Sequence, residues 1–122
     1  MRMKLELVGD VLRVDVRERE TAEETREIAD AVLAERDKLG VLAILISSKD
    51  SRPIFKVEEF GISELFDRAL AIPGLRVAAA TDDRALHAAH EYVELLAAQR
   101  GVPFRAFTSE REALAWLRSG AA

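Results

Sequence analysis

The chain has 122 residues and no cysteine, and 22 acidic against 18 basic residues give it a net charge of −4. This length favours a single domain over 1–122 that folds without a metal or a disulfide. The lack of cysteine excludes thiol catalysis and thiolate metal sites, and it fits a cytoplasmic protein. The acidic balance argues against a nucleic-acid-binding protein. We also expect no transmembrane segment and no secretion signal, because the sequence lacks the apolar stretches that both require.

The N-terminal residues predict a β-hairpin followed by a helix. Polar and apolar residues alternate over Lys4–Val8 and Val11–Arg17 on either side of the turn signal Gly9-Asp10, which is typical of two antiparallel strands with one face in water. The segment Thr21–Lys38 repeats apolar residues at helical spacing, and Thr21 and Glu24 stand at the spacing of a capping box. We therefore expect this helix to begin at Thr21.

Six consecutive apolar residues, Val41–Ile46, predict the central strand of the fold. A short unbroken apolar run is typical of a strand buried on both faces of a parallel sheet. The polar stretch Ser47–Arg52 follows directly, and Pro53 interrupts any regular element after it. Because α/β sheets tend to bind ligands beyond the carboxyl ends of their strands, we expect this polar stretch to form a loop at a functional edge.

The C-terminal half continues the alternation of helices and strands. Helices are predicted over Glu58–Ile72 and over Asp82–Arg100, and the second is capped by Thr81 or Asp82. Strands are predicted over Leu75–Ala80 and Phe104–Phe107. A final helix begins after the cap Ser109, and we expect Gly120–Ala122 to fray. The small residues Ala78–Ala80 either let a helix approach the sheet closely or leave space for a ligand. The complete order predicts an α/β fold in which an N-terminal β-hairpin is followed by α-β-α-β-α-β-α, with a mixed, mostly parallel five-stranded sheet.

Four stretches together resemble one known domain family: residues 7–14, residues 21–24, residues 76–78 with Thr81-Asp82, and residues 104–117. They are similar to the STAS domain (sulphate transporter and anti-sigma antagonist), and more closely to its SpoIIAA-like group, which is related in fold to CRAL-TRIO lipid-binding domains. The resemblance covers nearly the whole chain. It implies a β-α superhelix with strands in near-sequential order and the main helices on one side of the sheet.

In the anti-sigma antagonist branch of that family, a partner kinase phosphorylates a Ser or Thr at the start of the helix after the central strand. The usual surroundings read Asp-Ser-Ser-Gly-Leu or similar. Here Lys49-Asp50 and Arg52-Pro53 replace the glycine and the apolar residues, so the resemblance assigns phosphorylation to no single serine. From the residues themselves, Ser47, Ser48, Asp50 and Ser51 are the candidate regulatory loop, and the alternative is a solvated loop that uses serine for its turns.

Asp83, His87, His90 and Glu94 stand at spacings that place them on one face of the predicted helix. Imidazoles and carboxylates can bind zinc or iron, and a histidine can transfer protons near neutral pH. A metal site needs further ligands from a second element, however, and no other histidine exists. The alternative is a polar flank with the weak surface pairs Asp83–His87 and His90–Glu94, and we expect no metal and no cofactor.

The region after Pro53 contains more apolar residues than a loop requires. Its candidate ligand or interface residues are Ile54, Phe55, Val57, Phe60 and Phe66. They predict an apolar pocket for a small hydrophobic ligand, a homodimer patch, or side chains that simply complete the core.

The leading functional hypothesis is a non-enzymatic, STAS-like regulatory or binding protein of the bacterial cytosol. It would recognise a protein partner, or a second copy of itself, through the loop after the central strand and the following helix. The alternative is a carrier of a lipid or another small hydrophobic ligand. The third choice is a small enzyme that depends on His87, His90 or a metal, although the sequence carries no catalytic signature such as a Gly-x-Ser-x-Gly elbow or a glycine-rich phosphate loop.

Overall fold

The computed structural model describes residues 1–119 as a five-stranded sheet with helices on both faces. The strands are β1 (Arg2–Val8), β2 (Val11–Arg17), β3 (Ala43–Lys49), β4 (Arg76–Ala80) and β5 (Phe104–Phe107). The α-helices are α1 (Ala22–Leu39), α2 (Ile62–Leu70), α3 (Arg84–Arg100) and α4 (Glu110–Arg118), and a short 3-10 helix at Val57–Phe60 precedes α2. The predicted α/β class is confirmed, whereas the fraying predicted for 120–122 lies outside the described residues.

The strands lie in sequential order, β1-β2-β3-β4-β5. The hairpin pairs β1 with β2 antiparallel, and all the other neighbours are parallel because a helix-containing crossover connects each strand to the next. The central strand β3 is therefore flanked by parallel strands on both sides, as predicted. Within residues 1–119 no helix combines the length and the apolar character needed to cross a bilayer.

The central strand occupies Ala43–Lys49 rather than the predicted Val41–Ile46. Its backbone continues beyond the apolar run because β2 still offers pairing partners, with Ser48 opposite Val16 and Lys49 opposite Arg17. Hydrogen bonding to neighbouring strands sets the end of a strand, and the polarity of a side chain does not prevent it. At the other end, Leu42 precedes the strand, and its side chain is 46% exposed.

Several helix boundaries also differ from the prediction. The predicted helix 58–72 is divided at Gly61, whose left-handed φ of 74° ends the 3-10 helix and allows α2 to begin. The cap of α3 is Asp83 rather than Thr81 or Asp82, because the Asp83 carboxylate accepts a hydrogen bond from the Leu86 N–H at 2.9 Å. The capping box at Thr21 is confirmed, with Glu24 returning a bond to the Thr21 N–H.

The core has two layers, one on each face of the sheet. On the first face, Val14 and Ile44 pack against Ile28 of α1, and the cluster that contains Phe66 and Ala97 adds α2 and α3. On the second face, α4 packs alone over β3 and β4, where Leu45, Ala78 and Ala80 contact Ala113 and Leu117. Of the two roles expected for the small residues of β4, close approach of a helix is the one observed for Ala78 and Ala80.

Candidate functional site

The carboxyl ends of the parallel strands form the edge at which the sequence places the functional loop. The loop after β3 consists of Asp50–Lys56, which we call the 50–56 segment, and it has no regular secondary structure. On the first face of the sheet this segment lies against the loop after β2 and against α3. On the second face the same edge ends in a polar cleft beside the first residue of α4. The two sides have different chemistry.

Two of the predicted loop serines are not in a loop. Ser47 and Ser48 belong to β3 and are buried, with exposures of 4% and 7%. Successive strand residues point to opposite faces, so the two hydroxyls lie on different sides of the sheet. The Ser47 hydroxyl donates a hydrogen bond to the Glu110 carboxylate at 3.2 Å. Of the predicted loop residues, only Asp50 and Ser51 therefore lie in a loop, because pairing with β2 extends β3 through Ser47 and Ser48.

Asp50 and Ser51 shape the turn that leaves β3. Asp50 is exposed and adopts a left-handed backbone conformation with a φ of 49°. The Ser51 hydroxyl donates to the Lys49 carbonyl at 2.9 Å and accepts from the Arg19 N–H at 3.1 Å. This hydroxyl therefore fastens the segment to the loop after β2.

Arg19, which the sequence did not single out, holds the 50–56 segment in place. Its guanidinium donates from Nη1 to the Thr25 hydroxyl at 2.9 Å and from Nη2 to the Arg52 carbonyl. The Arg19 carbonyl accepts in return from the Arg52 N–H at 2.9 Å. Burial lowers the pKa of the Arg19 guanidinium. Arg19 therefore holds the segment in a defined position through hydrogen bonds of both its backbone and its side chain.

The apolar residues of this region divide into core residues and one exposed residue. Val57, Phe60 and Phe66 are buried, with exposures of 3%, 8% and 6%, and Ile54 packs partly buried against the first two. Phe55 differs, because 51% of it is exposed. Most of the apolar excess thus completes the core, and only Phe55 faces outward.

Phe55 belongs to a larger exposed apolar surface that includes α3. Its ring centroid lies 6.4 Å from that of Tyr92, which is 39% exposed. Leu95, one turn further along the helix and 57% exposed, is the neighbour of Tyr92 on the same face. We call these three residues the Phe55 surface. Tyr92 and Leu95 were missed from the sequence.

The four residues proposed as weak metal ligands do not converge. Asp83 caps α3, and the Glu94 carboxylate accepts a hydrogen bond from the Ala106 N–H at 2.6 Å. His87 Nε2 lies 3.6 Å from the Glu91 carboxylate, so the expected surface pairs Asp83–His87 and His90–Glu94 are not the ones formed. Within residues 1–119, no group of three or more potential ligands is placed to hold a metal ion.

Two open clefts lie at opposite ends of the parallel strands. One, of about 220 Å³, lies at the carboxyl ends and is lined by Ser47, Lys49, Ala80, Thr81, Asp82, Thr108, Ser109 and Glu110. The other, of about 720 Å³, lies at the amino ends and includes Leu42, Leu75 and Pro103 in its lining. Neither cleft is lined by Phe55, Phe60 or Phe66. The carrier hypothesis therefore stays a prediction to which these two clefts add no support.

Glu110, which lines the smaller cleft, forms an ion pair with Arg13. Arg13 of β2 donates from Nε and Nη2 to the two Glu110 oxygens at 2.8 and 2.9 Å, which is a bidentate geometry. The hydrogen bond from Arg13, and secondarily its charge, lowers the pKa of the Glu110 carboxyl, while partial burial opposes that shift. The pair connects the first strand of the parallel region to α4, far apart in the sequence.

Replacement of Glu110 by Gln is expected to destabilise the protein at neutral pH by roughly 1 kcal/mol, a modest value because the side chain of Glu110 remains 36% exposed. A carboxyl whose pKa is depressed on folding stabilises the fold above its ordinary pKa of 4.5, and this contribution is lost as the pH falls through the lower folded value. Denaturant unfolding of wild type and Glu110→Gln between pH 7 and pH 3 measures the difference. A gap between the two proteins that stays constant down to pH 3 would contradict the prediction.

No protein-family model and no curated protein matches the chain. The function is therefore inferred from what this edge of the sheet presents. It presents a fixed irregular segment with an exposed aromatic ring, and a small polar cleft on the opposite face.

Proposed function

We propose that this protein is a non-enzymatic, STAS-like binding module that recognises a protein partner through the Phe55 surface. The observation that carries the proposal is the half-exposed ring of Phe55, displayed beside Tyr92 on a segment that has no regular secondary structure and is held by Arg19. The sequential strand order behind an N-terminal hairpin, and the shared face of α1, α2 and α3, support the STAS-like part of the proposal.

The composition of the Phe55 surface favours a protein partner. Phenylalanine and tyrosine are enriched at the centres of protein interfaces, and a large apolar side chain loses contact with water when a partner covers it. Exposed charged residues of both signs, Asp50, Arg52, Lys56, Glu58 and Glu59, flank Phe55 in the sequence, and polar residues of this kind are typical of the rim of a protein interface.

The preorganisation of the 50–56 segment adds to this argument. Ser51 and the Arg52 backbone are hydrogen-bonded to Arg19 before any partner arrives. A segment that is already ordered loses less conformational entropy on binding than a mobile loop does. Phe55 therefore has the two properties of an interface anchor, exposure and a defined position.

Phe55→Ser is expected to weaken partner binding at least roughly tenfold, because it removes an aromatic anchor from the centre of the surface. The matched control is Leu7→Ser, since Leu7 of β1 is also 51% exposed. The three proteins are immobilised and exposed to an extract of the host, and any retained protein is purified and its Kd for each variant measured by calorimetry. A partner that binds wild type and Phe55→Ser with equal Kd would contradict the proposal.

Sedimentation velocity of the purified chain is measured in parallel, because the partner can be a second copy. A wild-type dimer that Phe55→Ser converts to a monomer, while Leu7→Ser remains dimeric, identifies the partner as the chain itself. A wild-type protein that stays monomeric and retains no partner whose affinity depends on Phe55 contradicts the proposal.

A further inference from the structure

The two edge strands of the sheet differ in length and in what lies against them. Strand β5 has four residues, and the Glu94 carboxylate of α3 accepts a hydrogen bond from its Ala106 N–H at 2.6 Å. Strand β1 has seven residues, and within residues 1–119 its backbone forms hydrogen bonds with β2 alone. The outer side of an edge strand presents N–H and C=O groups that can pair with a further strand. The open edge of this sheet is therefore β1.

The register of the hairpin identifies the backbone groups of β1 that face outward. Val8 lies opposite Val11 across a two-residue turn, and a turn of this kind is closed by a hydrogen bond between its flanking residues. In an antiparallel pair, hydrogen-bonded and non-hydrogen-bonded positions alternate. Every second residue counted from Val8 therefore bonds to β2. The N–H and C=O groups of Met3, Leu5 and Leu7 point away from it.

The sequence of β1 is complementary to itself in one antiparallel register. When two copies of β1 pair about a two-fold axis at Leu5, Met3 lies opposite Leu7 of the second copy, and the outward groups of all three residues find partners. In the same register Lys4 lies opposite Glu6 of the second copy, and symmetry repeats this pair. A shift of the second copy by two residues in either direction places Lys4 opposite Lys4 or Glu6 opposite Glu6. Like charges directly opposite each other are destabilising, so the charges favour the first register.

The same two charges indicate which strand can pair with β1. The Lys4 and Glu6 side chains lie on one face of the strand and are 73% and 40% exposed, so both can be reached by a second chain. A lysine in the middle of an edge strand normally discourages pairing with another strand. A second copy of β1 compensates for this charge by placing Glu6 opposite it, which favours the chain itself as the partner of this edge.

We propose that the protein forms a symmetric homodimer by antiparallel pairing of β1 with β1 of a second copy, so that the two sheets become one continuous sheet. The outward backbone groups of Met3, Leu5 and Leu7 supply the hydrogen bonds, and the Lys4–Glu6 pairs fix the register. This interface uses none of the residues of the Phe55 surface and none that hold the 50–56 segment. It is therefore independent of the proposed partner site.

Exchange of the two charges tests the register. Sedimentation equilibrium of the wild type is expected to show a dimer that dissociates on dilution. Lys4→Glu and Glu6→Lys are each expected to weaken dimerisation at least roughly tenfold, because each places like charges opposite one another at two symmetric positions. An equimolar mixture of the two variants is expected to associate again, since every new charge then faces an opposite charge in the other chain. A wild type that is monomeric up to high micromolar concentration, or variants that stay monomeric when mixed, would overturn the proposal.

Two substitutions of Leu7 test the backbone pairing. Because the Leu7 N–H points away from β2, Leu7→Pro removes a hydrogen bond from the dimer and none from the hairpin, and edge strands tolerate proline in this orientation. Leu7→Pro is expected to weaken dimerisation at least roughly tenfold. Leu7→Ser is the matched control, since it keeps the N–H and both charges, and it is expected to remain dimeric. Circular dichroism establishes that both variants are folded, and equal dimerisation by the two would contradict the proposed pairing.

Phe55→Ser separates this interface from the Phe55 surface, and it is expected to dimerise as the wild type does. A dimer that Phe55→Ser dissociates and Lys4→Glu does not would belong to the Phe55 surface and would overturn the pairing of β1. A monomeric wild type that still binds a host protein through Phe55 would overturn the pairing of β1 and leave the proposed function intact.

Discussion

Replacement of Leu45 by Ala is expected to lower the free energy of unfolding by roughly 2–5 kcal/mol, the range for leucine truncation in a packed core. Leu45 lies in the middle of the central strand and is 0% exposed. It packs under α4 with Ala78, Ala80 and Ala113, all of which are too small to fill the space that the lost side chain leaves. Because Ala78 and Ala80 are fixed in β4, the cavity would collapse little, which places the expected cost in the upper part of the range.

Leu42→Ala is the matched control for this prediction, since it removes the same atoms from the same segment of sequence. Leu42 precedes β3 and is 46% exposed, so its truncation is expected to change stability by about 0.5 kcal/mol or less. Both variants are measured by urea unfolding with a common slope. Equal losses in Leu45→Ala and Leu42→Ala would contradict the observed difference in burial between the two side chains.

The second large effect is a loss of stability on mild acidification that depends on His90. Burial, followed by the charges of Arg19 and His87, lowers the pKa of His90 from 6.5 to about 4. Between these two values the unfolded chain binds a proton that the folded chain does not, so the stability falls as the pH decreases from about 6.5. A shift of this size corresponds to a total loss of about 3 kcal/mol by pH 4.

The measurement compares wild type with His90→Gln in denaturant unfolding between pH 7.5 and pH 4.5. The wild type is expected to lose roughly 2–3 kcal/mol more than the variant over this range. The NMR titration of the His90 ring provides a direct check. A His90 ring that titrates near 6.5 in the folded protein would contradict the prediction, as would a variant with the same pH dependence as wild type.

Local signals predicted the side-chain caps of α1 and α4 correctly, whereas the cap of α3 is Asp83 and was predicted one or two residues too early. Thr21 with Glu24 forms the capping box, and Ser109 accepts a bond from the Glu112 N–H at the start of α4. These contacts span three residues, so the sequence contains all the partners. Where the partner is distant in the chain, the sequence did not predict the end of the element. The strand β3 continues through Ser47 to Lys49 because β2 supplies pairing partners, and the residues 41–52 alone do not indicate this pairing.

The candidate site was located from the sequence only at the level of the loop. The excess of apolar residues after Pro53 was apparent, but sequence could not separate Phe60 and Phe66, which are buried, from Phe55, which is exposed. That division depends on the packing of the 3-10 helix and α2 against α1 and α3. Arg19 was missed because its importance comes from its contact with Arg52, 33 residues away.

By itself the sequence determined the order of helices and strands, the five-stranded, mostly parallel sheet and the caps of α1 and α4, because periodicity and capping act over a few neighbouring residues. Only the tertiary structure decided which side chains face outward, and it buried Ser47 and Ser48 while leaving Phe55 exposed. It also decided that the guanidinium of Arg19 contacts Thr25 and the Arg52 carbonyl. The physical reason is that burial and charge pairing depend on elements that are distant in the sequence but close in space, and the sequence does not give the distances between them.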